Sequence, residues 1–219
     1  MYLPKHFEEG DAAVIHGLLR AHPLACVVVP GPAGLEANHL PLLLDAGAGR
    51  LRGHVARANG LWRLAEAAGP DGLEALAIFQ GADGYVTPSW YPSKQEHGKV
   101  VPTWNYEAVH VQARLRAVDD RDWLRALVTE LTATFESNRP APWQVADAPP
   151  DYVDTLLGAI VGVELTITAV TAKRKLSQNR PPADRAGVVQ GLHELGGDAA
   201  RAHADAIEQA ATPSPSRPQ

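Results

Sequence analysis

Between Ala108 and Val118 the chain alternates: Val109, Val111, Ala113, Leu115 and Ala117 are apolar, with His110, Gln112, Arg114, Arg116 and Val118 set between them. Successive side chains of an extended strand point to opposite faces, so a period of two describes a strand with one face in a core and the other half-solvated. Asp119 or Asp120 follows where a helix N-cap belongs, and Trp123, Leu127, Leu131 and Phe135 then recur at intervals of four, the spacing of one helical stripe. Those four residues are expected in the core, and the run from Ser137 to Pro140 ends the helix. A strand leading through a cap into an amphipathic helix restricts the chain to architectures that lay helices on a sheet.

The same change of period recurs along the chain. Asp11 can cap a helix carrying Val14, Ile15, Leu18 and Leu19, which His22-Pro23 stops. Leu24 to Val29, closed by PGPAG, and the segment ANHLPLLLD read as strand, turn and strand. RLRGHVARANGLWRLAEAAG begins as a strand and turns helical near Asn59, a fitting N-cap, and EALAIFQG supplies a further strand. After a short helix around Tyr152 to Leu157, VGVELTITAVT alternates again. Beyond Pro182, ADRAGVVQGLHEL and DAARAHADAIEQA read as short helices parted by Gly196-Gly197, and TPSPSRPQ has the composition of a disordered tail. Six or seven strands with intervening helices give an α+β fold, a β-barrel or sheet with peripheral helices. The expected boundaries are a barrel domain over 1–180, a helical extension over 181–210 and a tail over 211–219.

At 219 residues and 45% hydrophobic composition the chain can bury a sizeable core. Its one cysteine, Cys26, excludes an internal disulfide or a cysteine-rich metal site. No apolar run approaches the roughly 20 residues needed to span a bilayer, and MYLPKHFEEGD has no apolar signal-peptide core, so a cytoplasmic protein is expected. HExxH, GxSxG, P-loop, CxxC and strand-linked GxGxxG motifs are all missing, and the nine histidines show no metal spacing.

Chemistry concentrates in three stretches. Tyr85 to Tyr106, YVTPSWYPSKQEHGKVVPTWNY, holds five of the thirteen aromatics, and its prolines predict rigid, non-helical scaffolding with an exposed hairpin across QEHGK. Its tryptophans are either core residues or apolar faces for a flat heteroaromatic ligand, with Ser89, Thr103 and Asn105 at the edge. Arg57 and Asn59 precede a helix, an arrangement that can collect a phosphate or can be a plain cap. In AKRKLSQNRP, Lys173, Arg174, Lys175 and Arg180 surround Ser177, Gln178 and Asn179, which fits a solvated strand exit, an anion site or a pocket edge.

Taken together and in order, MYLPKHF, NHLPLLL, GHVARANGLW, YVTPSWYPSK, KVVPTWNYEAVHV and KLSQNRP resemble the PaiB-type family of FMN-binding negative transcriptional regulators, over residues 1–195. The resemblance implies a split β-barrel of the pyridoxamine-phosphate-oxidase-like, FMN-binding kind with peripheral helices, and a homodimer with FMN at the subunit interface. It also implies that GHVARANGLW lies near the phosphate through His54, Arg57 and Asn59. Asn38, His39, Ser89, Trp90, Thr103, Asn105, Lys175, Ser177, Gln178, Asn179 and Arg180 would line the rest of the pocket.

The resemblance carries a regulatory expectation, which the charge qualifies. A net charge of −5 and the lack of a helix-turn-helix pattern argue against direct DNA binding. The expectation is therefore a homodimeric regulator or sensor of flavin state. The alternative class is a flavin-dependent oxidoreductase or a haem-handling split-barrel enzyme.

Overall fold

The computed structural model describes residues 1–211, and the expected disordered tail at 212–219 lies outside the described residues. In chain order the strands are β1 (Glu8–Glu9), β2 (Leu24–Gly31), β3 (Gly34–Pro41), β4 (Leu43–Asp45), β5 (Arg50–Ala56), β6 (Leu73–Val86), β7 (Thr103–Val118) and β8 (Ile160–Lys175). The helices are α1 (Ala12–Ala21), α2 (Leu61–Ala67), α3 (Ser93–His97), α4 (Arg121–Glu136), α5 (Pro150–Gly158), α6 (Pro182–Leu195) and α7 (Asp198–Ala211). Hydrogen-bonded neighbours run β3-β2-β6-β7-β8-β5-β4, with β1 added to β8. No described helix is long and apolar enough to cross a membrane.

The chain divides into two compact units. One comprises Pro23–Ile78 and Val111–Val170. Its β2 and β3 pair antiparallel from Leu24↔Pro41 to Gly31↔Gly34, closing through Pro32-Ala33 with Gly34 at φ 125°, a backbone that favours glycine. Strand β5 pairs antiparallel with β8 from Arg50↔Thr166 to Ala56↔Ile160. Alternation works as the sequence implies, because Val111, Ala113 and Leu115 of β7 are buried beside Leu51, Val55, Val161, Val163 and Leu165. Each such side chain removed from water stabilises the fold by about 1.5–3 kcal/mol.

Helix α4 begins where Asp120 accepts a hydrogen bond from Trp123 N at 2.7 Å. Leu127 and Leu131 pack on Leu43, while Leu124 packs with Val153 and Leu157 of α5. The expected stripe is right at Leu127 and Leu131 and wrong at Phe135, which is 44% exposed. The buried face of α4 is therefore Leu124, Leu127 and Leu131, and Phe135 in the last turn lies outside it. Trp123 approaches β8 closely because Gly162 has no side chain, and a Cβ there would come within 2.3 Å of the indole.

The second unit comprises Met1–His22, Phe79–His110 and Thr171 onward. Asp11 accepts from Ala13 N and caps α1 as expected. Helices α6 and α7 share a core with Val86, Tyr91 and Leu176. Trp90 seats against α6, where a Cβ on Gly191 would fall 2.4 Å from its ring and one on Gly187 2.1 Å from its carbonyl oxygen. Ser93 donates through N (3.1 Å) and Oγ (2.7 Å) to buried Asp184. The Tyr85–Tyr106 stretch is not wholly non-helical as its prolines suggest. Pro88–Trp90 forms a 3-10 turn capped by Thr87, and α3 takes the place of the expected hairpin, closed by Gly98 at φ 66°. Proline at the first position of a helix is compatible with helical φ, which is how Pro88 starts a turn instead of preventing one.

Candidate functional site

The residues expected to hold a ligand fall into two groups, one in each unit. In the unit of β5, Asn59 Nδ2 donates to Asn38 Oδ1 at 2.7 Å, and Asn59 Oδ1 accepts from Leu61 N at 2.9 Å. The N-cap of α2 is Gly60 and not Asn59 as its position suggests; Asn59, one residue earlier, closes an i,i+2 turn on Leu61 N and ties it to the edge strand β3. His39 neighbours Asn38 on β3 and is exposed.

Arg57 is heavily committed in the same unit. Its Nη1 and Nη2 donate to Asp119 at 2.8 and 2.6 Å, Nε donates to Gly158 O at 2.8 Å, and Nη2 also reaches Ile160 O at 3.1 Å. A guanidinium has five N–H donors, and one is left over. The Arg57 hydrogen bond holds the Asp119 carboxyl below its usual range. His54 stands on the outward face of β5 with Nδ1 sealed from water and unpartnered, and burial pushes its imidazole pKa down.

The other unit gathers Thr103, Asn105, Lys175 and Ser177. Lys175 Nζ bonds Thr103 Oγ1 and Trp104 O, and Asn105 Nδ2 donates to Ser177 Oγ at 3.0 Å in a buried pair. Gln178 folds back on its own loop, accepting from Leu176 N at 2.7 Å and donating to Arg174 O at 2.6 Å. That closure holds Ser177 at φ 63°, the only described non-glycine residue with positive φ. Asn179 is exposed, and the Arg180 guanidinium sits 4.8 Å from the Tyr91 ring centre. Trp90 lies against α6, as described above, and exposed Ser89 accepts from Lys94 Nζ at 3.4 Å.

The four cations of this stretch differ in what neutralises them. Arg174 is buried against Glu107 at 2.6 Å with Glu9 at 3.8 Å. Lys173 is buried, with Nζ 5.1 Å from the Tyr106 ring centre and 3.2 Å from Tyr2 O. Lys175 is different: burial, then the positive charges of Lys173 and Arg180, push its pKa down, and no carboxylate acts in the opposite direction. An anion bound there would relieve that field. Beside it Trp104 is 57% exposed and meets Tyr85, 49% exposed, edge-on at 6.0 Å. A cation lacking a counter-charge next to an exposed aromatic pair fits a ligand with a phosphate and a flat ring system.

A cleft of about 820 Å³ in the same unit is a poor place for that phosphate. It is lined by Glu8, Glu9, Asp83, Glu107 and Asp205, while its one arginine is Arg174, already paired; of the expected ligand residues it contains Gln178 alone. The exposure of Trp104 and Tyr85 was missed by sequence reasoning as a paired feature, since a strand and the distant Tyr85 meet only in the sheet. Lys173 and Arg174, by contrast, read as part of a cationic patch and are spent internally.

Comparison with known proteins places this geometry. Solved structures of similar fold include the FAD and heme binding protein of Mycobacterium smegmatis (TM-score 0.57, 19% identity, 77% of this chain and 73% of that one). The flavocytochrome Anf3 of Azotobacter vinelandii is another (TM-score 0.56, 13% identity, 79% and 72%). The architecture is the expected α+β split barrel with peripheral helices. In sequence the chain is 33% identical to an uncharacterized protein of Emericella nidulans, over 95% of this chain and 97% of that one. It is 30% identical to the protease synthase and sporulation protein PAI 2 of Bacillus subtilis, again over 95% and 97%. Residues 1–169 match the family described as "Putative FMN-binding domain". The chain therefore belongs to that FMN-binding family, similar to PAI 2, and FMN is its cofactor.

Proposed function

We propose that the protein is a homodimeric FMN-binding regulator that senses flavin state, with the FMN phosphate held at Lys175 and Arg180 and the ring system beside Trp104 and Tyr85. The carrying observation is Lys175, fixed to Thr103 Oγ1 and Trp104 O, partly desolvated by burial and next to the positive charges of Lys173 and Arg180. Exposed Asn179 lies in the turn between the two cations and can add a donor, whereas the Ser177 hydroxyl is spent on Asn105. When bound, FMN supplies reversible redox chemistry, while the residues of this chain bind it, orient it and limit its contact with water. Arg57 is left with a structural role in this reading, because its charge is already met by the Asp119 carboxylate.

Two features support the dimer and the regulatory reading. Tyr85, Val101 and Trp104 expose large apolar surface in one unit, a patch that a second copy together with the flavin would cover. The regulatory part rests on similarity to PAI 2, whose name refers to protease synthesis and sporulation. The route is through partners or flavin state and not through operator DNA. Of the dense basic cluster, Arg174 is consumed by Glu107 and Lys173 by Tyr2 and Tyr106, which leaves little to contact a phosphate backbone.

Flavin fluorescence during FMN addition to apo protein tests the binding, and light scattering tests the dimer. A stable dimer commonly buries about 2,000 Å² or more and should persist at micromolar concentration. A flat titration would overturn the reading, as would a monomer at that concentration. Nanomolar, sequence-selective duplex binding at physiological salt would overturn the indirect route.

A further inference from the structure

The unit that carries β5 contains a second cavity, of about 320 Å³, between the outward face of that strand and helices α4 and α5. Its wall is apolar, built by residues such as Val128, Leu157 and Ile160, and it contains no aspartate, glutamate, lysine or arginine. Three large side chains at it are left about half exposed: Trp143 at 48%, Tyr152 at 57% and Leu156 at 48%. Apolar groups of that size normally bury themselves when nothing else is to cover them. The one histidine in the wall is His54, whose Nδ1 is buried with no partner. An orphaned buried polar atom is a cost to the fold that a partner would remove.

We propose that this cavity is a ligand site distinct from the flavin site, taking one uncharged, planar aromatic molecule of indole size whose single polar group hydrogen-bonds to the His54 imidazole. The size is near the lower end of small-molecule pockets, which run from about 300 Å³. The two aromatic side chains at the wall favour a flat ring, since offset and edge-on contacts with Trp143 and Tyr152 add to simple burial. Charge excludes FMN itself, because a phosphate would enter a wall with no cation to meet it. Burial keeps His54 neutral, so the ring presents one donor and one acceptor and suits a hydroxyl or an N–H better than a carboxylate.

Indole and its carbon isostere indene, measured by equilibrium dialysis against the full-length chain with and without FMN, are the probes. Indole should bind saturably at one per chain and about tenfold more tightly than indene, the worth of one hydrogen bond. In His54→Leu the advantage of indole over indene should vanish while indene still binds. In Leu156→Glu, which places a charge in the wall on an exposed helix position, both should weaken by at least about tenfold, with FMN affinity unchanged. No saturable indole binding by the wild type would overturn the proposal. So would an indole advantage that survives in His54→Leu, or binding indifferent to Leu156→Glu. FMN titration is read separately, so a loss of the flavin reading and a loss of this one are distinguishable.

Discussion

Arg57 and Asp119 form a two-point ion pair, Nη1 to Oδ2 at 2.8 Å and Nη2 to Oδ1 at 2.6 Å, that ties the turn after β5 to the start of α4. The arginine that looks like a phosphate ligand in the sequence is thus a brace. Both side chains are more than a third exposed, so water screens the pair and its net contribution to stability is small.

Arg57→Ala should therefore lower the melting temperature by no more than about 4 °C. The ratio of FMN to riboflavin affinity should stay at its wild-type value. The pair holds the Asp119 pKa down, so its contribution is present above the ordinary aspartate range and lost as pH falls through the native value. Thermal melts of wild type and variant should converge at low pH; a selective loss of FMN would return Arg57 to the phosphate.

Lys175 gives the proposed flavin site a pH dependence. Its pKa is lowered by burial and by Lys173 and Arg180, so the charge that attracts phosphate is lost at lower pH than for an ordinary lysine. FMN affinity should decline as pH rises through that lowered value, while riboflavin affinity stays flat. Lys175→Arg keeps the charge and should remove the decline. An FMN profile as flat as that of riboflavin would speak against Lys175.

His203 of α7 is fully buried, neither ring nitrogen has a partner, and Gly84 leaves just enough room, since a Cβ there would lie 2.5 Å from Nδ1. Burial pushes its pKa down, and Asp83 and Glu107 oppose that without reversing it. As pH falls through the ordinary histidine range the unfolded chain takes up the proton and the native one does not, so stability falls. His203→Leu should flatten urea-unfolding free energy between about pH 7.5 and 5.5, a span across the ordinary His value. His54 and His110, also shifted down by burial, will leave a residual slope. A slope identical to wild type would show that His203 does not titrate on unfolding.

Gly191 is a packing requirement of Trp90. Alanine in the interior of α6 would ordinarily favour the helix by about 1 kcal/mol. Here its Cβ would meet the indole at 2.4 Å, and Gly191→Ala should instead destabilise by about 2–3 kcal/mol. Calorimetry should show a melting temperature lower by roughly 5–10 °C, recovered in part when Trp90→Leu is added. A neutral Gly191→Ala would mean that α6 can slide away from Trp90.

The strands and helices were legible because period and caps are local. Val109 to Leu115 alternate inward and Asp11 and Asp120 cap their helices as their positions imply, while Asn59 falls one residue short of the Gly60 cap. What fails is whatever depends on partners distant in sequence. Phe135 keeps the spacing of Leu127 and Leu131 yet has nothing to pack against, and QEHGK forms part of a helix that Gly98 can close. In the site, residue type identified groups able to meet a phosphate, but Asp119 and Glu107 decide which cations remain available, and both lie far along the chain from Arg57 and Arg174.

The central claim is that Lys175 and Arg180 carry the phosphate of FMN. Titrating FMN and riboflavin into wild type and into Lys175→Ala/Arg180→Ala isolates that group, because riboflavin lacks only the phosphate. Charge-assisted hydrogen bonds contribute about 1.5–3 kcal/mol each, so FMN affinity should fall at least about tenfold in the double variant while riboflavin affinity barely changes. Equal losses for the two ligands, or no loss for either, would contradict the assignment.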